Sequence, residues 1–148
     1  MKIAISSDSS LDLTKDLIDK YNIHVVPFTI VMGEEQHFDG EVTSKDIFAY
    51  TDKTGKLART SAVNEAQSEE HFAKLLNDFD AIIHFTISSE MSASYQNACL
   101  AAKKFKNVYV VDSRSLSTGV ALEAIYAKKL ADKGLEIDEI VKRVQERI

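Results

Sequence analysis

Residues 81–130 read AIIHFTISSEMSASYQNACLAAKKFKNVYVVDSRSLSTGVALEAIYAKKL, and this stretch decides the fold. Asp80–Ile87 and Asn107–Val111 are short, nearly continuous apolar runs of strand length, rich in Ile, Val, Phe and Tyr. Ser92–Phe105 and Ser117–Asp132 carry the longer period of helices. Strands that are apolar throughout are covered on both faces, and a strand–helix–strand–helix order requires crossover connections. The unit therefore predicts an α/β domain: a mainly parallel sheet flanked by helices on both faces.

The same alternation continues outward. Lys2–Ser6 reads as a buried strand and Thr14–Tyr21 as a short helix. Ile23–Met32 is β-prone but contains Pro27, the sole proline, which cannot donate to a ladder; the segment is expected to be an edge or bulged strand. Gly33 to Gly40 is polar and reads as a turn region. Thr43 precedes Asp46 by three, a capping box opening a helix through Tyr50. Asn64 can cap a helix carrying Phe72, Leu75, Leu76 and Phe79. The last helix aligns Ile137, Ile140, Val141, Val144 and Ile148 on one stripe.

The chain has 148 residues, enough for one domain with a core. With 45% hydrophobic residues and a formal charge of −5, it is neither a disordered polymer nor a duplex-binding protein, which needs a basic footprint. The lone Cys99 cannot form an internal disulfide. The apolar start Ile3–Ile5 is too short for a signal peptide, and no run approaches a membrane span, so a cytoplasmic location and no integral membrane association are expected.

Ligands of open parallel sheets bind beyond the carboxyl ends of the strands. Those positions hold many hydroxyls: Ser6 to Ser10 around Asp8, Thr60 with Ser61, Ser88, Ser89, Ser92 and Ser94, then Ser113, Ser115, Ser117 and Thr118. Helix capping needs one such residue per helix, so the surplus points to a hydroxyl-lined anion site. Arg59 and Arg114 are the only cations in these loops, which suits a single carboxylate better than a phosphate. No glycine-rich nucleotide loop occurs, because the five glycines are isolated. His24, His37, His71 and His84 share no metal-ligand spacing; His84 reads as a satisfied core residue and Cys99 as packing. Two other readings stay open. Asp8 and Asp112 both follow strands and could reach one Mg²⁺ for phosphoryl transfer, or the chain could be a regulatory interaction domain.

Asp8-Ser9-Ser10, Val25-Val26-Pro27-Phe28, Phe38-Asp39-Gly40, Thr60-Ser61, Ser88-Ser89-Glu90-Met91-Ser92-Ala93-Ser94-Tyr95-Gln96 and Asp112-Ser113 occur in that order. This ordered set resembles the N-terminal half of the DegV family of bacterial fatty-acid-binding proteins, along the whole of residues 1–148. The resemblance implies a DegV-like N-terminal α/β domain, with the family's C-terminal domain absent and the chain a fragment. It implies a bound long-chain fatty acid as ligand, no cofactor, no metal and no catalytic residue of its own. A fatty acid kinase catalytic subunit would be the partner that phosphorylates the bound carboxyl group. It places the carboxylate on Thr60 and Ser92 and on the backbone N–H of Ala93, with Ser61, Ser94 and Ser9 in support.

Three departures stand out. The family's Gln-Pro-Ser reads Ala62-Val63-Asn64 here, and Ala93 replaces a glycine, which would cost about 1 kcal/mol if that position required positive φ. The third is the absent C-terminal half, with the His and Arg that the family places near the carboxyl group. On this reading the buried tail dominates affinity, since about fourteen methylenes at ~0.8 kcal/mol each gain on the order of 10 kcal/mol. The hydroxyls then fix orientation.

Overall fold

The computed structural model describes every residue from Met1 to Ile148. The chain runs β1 (Ile3–Asp8), a single 3-10 turn (Ser9–Leu11), α1 (Lys15–Tyr21), β2 (Ile23–Val26), β3 (Thr29–Met32), β4 (Glu35–Phe38) and α2 (Ser44–Thr54). It continues through β5 (Arg59–Ser61), α3 (Glu65–Leu75), β6 (Ala81–Thr86), α4 (Ser94–Ala102), β7 (Val108–Asp112), α5 (Thr118–Asp132) and α6 (Ile137–Gln145). Four strands form a wholly parallel sheet in the order β2-β1-β6-β7.

The two-residue period of the strands sorts side chains onto two faces. Ile5, Ala81, Ile83, Phe85 and Val111 point to one side, where α5 and α6 bring Val120, Ala121, Ala124, Ile140 and Val144. Ala4 and Ile82 point to the other, under Phe72 and Leu75 of α3 and Ala98 and Ala101 of α4. Helices therefore cover both faces, as the apolar strands require. Small residues line the inner side of α5, which lets that helix lie close to the sheet.

The stretch Ile23–Met32 is not one strand. β2 ends at Val26 as an edge of the parallel sheet, and the chain breaks at Pro27, where a ladder donor is missing. β3 then starts a second, antiparallel sheet of order β4-β3-β5. The region Gly33 to Gly40, expected to be a turn, holds β4; Gly33, at φ 68, closes the two-residue link that pairs Met32 with Glu35. Thr60 and Ser61, expected only as a lead-in to α3, lie in β5.

Both anticipated helix starts are present. Thr43 Oγ1 accepts the Asp46 N–H at 3.3 Å while Asp46 accepts the Thr43 N–H at 2.7 Å. Asn64 and Gln67 exchange the equivalent pair, both at 2.9 Å. No helix is long and apolar enough to cross a membrane.

Candidate functional site

The carboxyl ends of β1 and β6 open beside the small sheet, and a cleft of about 510 Å³ lies across that junction. Three hydroxyl residues reach it from three separate segments: Ser10 after β1 and Ser92 after β6 of the parallel sheet, and Thr60 on β5 of the antiparallel one. Its walls are otherwise apolar, from Phe28, Ile87, Met91 and the alanines 62 and 93. No cation and no acid lines it. Thr60 and Ser92, the two residues assigned to the carboxylate from sequence, thus face one cleft. A larger cleft of about 650 Å³ lies between α2 and β3, but Arg59, Lys56 and Tyr50 are its polar groups and no strand end of the parallel sheet opens into it.

Each hydroxyl is set differently. Thr60 Oγ1 has no hydrogen-bond partner within the protein, so it is free for a ligand. Ser92 Oγ accepts the Ser94 N–H at 3.2 Å and lies 3.0 Å from Ser94 Oγ, which is buried at the start of α4. Either hydroxyl of this pair can donate, so Ser92 can offer the cleft its proton or a lone pair. Ala93 has φ −76, an ordinary right-handed value, so the alanine at the glycine position brings no backbone strain. Its N–H bonds to no backbone carbonyl and stands at the first turn of α4, where an acceptor oxygen is favoured.

Ser61 stands apart. Successive residues of a strand face opposite sides, and Ser61 lines a separate cleft with Thr29, Gln36 and Asn64 on the far face of the small sheet. Arg59 is turned the same way as Ser61, paired with Val31. Ser9 does not line the Thr60–Ser92 cleft either; its Oγ accepts the Phe28 N–H at 3.0 Å and so fixes one apolar wall.

Asp8 and Asp112 brace the loop that carries Ser92. Asp8 Oδ2 accepts the Ile87 N–H at 2.9 Å, and Asp112 Oδ1 accepts the Ser89 N–H at 3.1 Å and the Arg114 N–H at 3.0 Å. Burial pushes the Asp8 carboxyl above its ordinary range, against the bonds from Ser10 and Ile87 that favour its charge. For Asp112 burial works in the same direction, but the bonds from Ser89 and Arg114 outweigh it and the group is held below the usual range. Neither carboxylate lines the cleft, and no three His, Cys, Asp or Glu side chains gather in metal-ligating geometry. The fourth serine loop braces too: the Ser88 N–H donates to the Ser115 carbonyl at 2.9 Å.

Two features were not visible in the sequence. Ser10 joins the cleft, although the sequence counted it only among the surplus hydroxyls after β1 and did not single it out. Below it, Ser6 Oγ lies 2.7 Å from His71 Nε2 and 2.9 Å from His84 Nδ1, a buried cluster that unites histidines thirteen positions apart in sequence. The signal available was the alternation in β6, which puts His84 on the face that α3 covers.

The family model described as "Uncharacterised protein, DegV family" matches residues 2–148. A DegV domain-containing protein of Caldanaerobacter subterraneus is 36% identical over 149 residues, which are 99% of this chain and 53% of that relative. Among solved structures, one described as showing fatty acid binding of a DegV family protein from Thermus thermophilus superposes with a TM-score of 0.92 at 27% identity, covering 99% of this chain and 53% of that one. A stearic acid-binding protein from Eubacterium ventriosum superposes with a TM-score of 0.82 at 25% identity, over 97% and 52% of the two chains. The chain spans about half the length of the curated relatives it matches.

Proposed function

The chain belongs to the DegV family, and from that premise we propose that it binds a long-chain fatty acid, its carboxyl head in the Thr60–Ser92 cleft. The observation that carries this reading is the convergence of Ser10, Thr60 and Ser92 from three separate segments of the two sheets on one apolar-walled cleft without a cation. A carboxyl group is small enough to be satisfied by hydroxyl and backbone donors, and apolar walls beside it suit the start of a hydrocarbon chain. Relatives described as fatty acid binders support the same ligand class.

In this reading residues 1–148 form the N-terminal one of two α/β domains, and the second closes over the acyl tail. The head is held without metal or ion pair from this half, which leaves a carboxyl oxygen available to a fatty acid kinase. Phosphorylation would join that oxygen to the terminal phosphorus of ATP and release ADP, with catalysis supplied by the kinase. This chain would act as a cytoplasmic carrier, not as an enzyme.

Native mass spectrometry of the full-length protein purified without added lipid tests the reading. The expected result is a bound C14–C18 acid, and apo protein that takes up no added oleate overturns it. Replacing Thr60 and Ser92 by Ala should each weaken binding roughly tenfold, since one hydrogen bond contributes about 1.5 kcal/mol. Unchanged affinity in the double variant removes both as ligands. A kinase mixed with the loaded protein should release ADP in step with acid supplied; ADP release independent of the carrier contradicts the partner assignment.

A further inference from the structure

The small sheet turns Thr60 toward the Ser92 cleft, and no helix of the chain packs across its other face. The two-residue period puts Arg59, Val31 and Gln36 in one row of that outer face and Ser61, Thr29 and Phe38 in the next. An antiparallel sheet that keeps one face in water normally turns polar residues to it. Here Val31 stands at the centre, Phe38 at the β4 edge is 47% exposed, and Leu57, just before β5, is 78% exposed.

Charge is divided across the same face. Two clefts meet on it at Val31. The one of about 650 Å³ holds Lys56 and Arg59 and no acid, while the one of about 420 Å³ holds Glu41 and neither lysine nor arginine. Glu41 Oε2 accepts the Phe38 N–H at 2.7 Å, which fixes its carboxylate at the Phe38 corner. Arg59 ends the first row on the β5 side, and Phe38 ends the second on the β4 side. The two signs therefore occupy opposite corners, with Val31 and Thr29 between them.

We propose that two copies of this chain associate through the outer face of the small sheet, about a two-fold axis. With that axis lying in the plane of the face, across the diagonal between the charged corners, each Lys56–Arg59 corner meets Glu41 of the other copy, and the apolar centre meets itself. An isologous contact needs a surface complementary to itself, and a face with opposite charges at its corners and an apolar middle is one. An anionic lipid surface would be repelled at the Glu41 corner, and an acidic protein segment would gain only at the other. Both Thr60–Ser92 clefts stay open in the pair, because Thr60 points to the opposite side of β5 from Arg59 and Ser61.

Sedimentation equilibrium of the full-length protein tests this. The expected result is a dimer whose dissociation constant rises about tenfold or more in Lys56→Glu/Arg59→Glu and in Glu41→Lys. Mixed in equal amounts, these two variants should form a heterodimer, since each reversed corner then meets its complement. Glu41→Lys also removes the bond to the Phe38 N–H, so Val31→Lys is added: it leaves every hydrogen bond of the sheet in place and should give a folded monomer. Native protein that stays monomeric throughout the micromolar range overturns the proposal, whatever else covers the face. So does a dimer indifferent to these substitutions, or a pair of charge variants that stays dissociated when mixed.

Discussion

Ser6 Oγ stands between two imidazoles, 2.7 Å from His71 Nε2 and 2.9 Å from His84 Nδ1, and so ties both rings to one buried hydroxyl. Burial lowers the His71 pKa from 6.5 to about 4 and holds His84 well below its ordinary value. Both are therefore neutral in the folded protein, whereas the unfolded chain takes up protons below about pH 6.5. The stability they confer is complete above that pH and falls as the solution is acidified toward pH 4. His71 alone accounts for about 3 kcal/mol of the loss. Urea unfolding at pH 7, 5.5 and 4 should show this slope, and His71→Gln should flatten it; a slope unchanged in that variant would assign the acid sensitivity elsewhere. At this scale the surplus of hydroxyls over capping needs marked whole loops, and only the resemblance of the surrounding motifs singled out Thr60 and Ser92 within them. That Ser10 lines the same cleft was not singled out, since it depends on how the loop after β1 meets the small sheet.

The helices were the readable elements. The caps at Thr43 and Asn64 are local codes, written within three residues; the box expected at Thr43 formed, and the cap expected at Asn64 proved to be a full box with Gln67. Asn64 stands directly between β5, which carries Thr60, and α3, which covers Ser6 and His84. Asn64→Ala removes the bond to the Gln67 N–H and should cost about 1 kcal/mol, read as a lowered unfolding midpoint in urea with unchanged slope. No change would mean that tertiary packing alone holds the first turn. β4 and β5 were the illegible elements. Glu35-Gln36-His37-Phe38 is polar and Arg59-Thr60-Ser61 is only three residues long. Both are strands because β3 offers its two edges, and that partnership is not encoded in either segment. The expectation of a single Ile23–Met32 strand failed for a related reason. Pro27 was correctly taken as a disruption, but a sequence does not say whether a strand bulges past a proline or changes sheets there.

At the scale of the whole molecule, the parallel sheet and its two helical layers followed from the alternation in residues 81–130, while the small antiparallel sheet did not. The two sheets are joined by the Val26–Thr29 and Ser61–Asn64 connections and by two side-chain ties, Ser9 Oγ to the Phe28 N–H and Asn97 Nδ2 to the Val63 carbonyl at 2.9 Å. The cleft lies on this junction, with Phe28 and Thr60 on one bank and Ser10, Ile87 and Ser92 on the other. An occupant that touches both banks works as a staple, and every fluctuation that parts them must first expel it. Hydrogen–deuterium exchange should therefore slow at the amides of β3 and β5 when oleate is added, by a factor that grows with its free concentration, while the centre of β6 keeps its rate. Exchange at β3 and β5 indifferent to oleate would mean that the banks move as one body, and that the ligand reads a rigid groove rather than fastening a hinge.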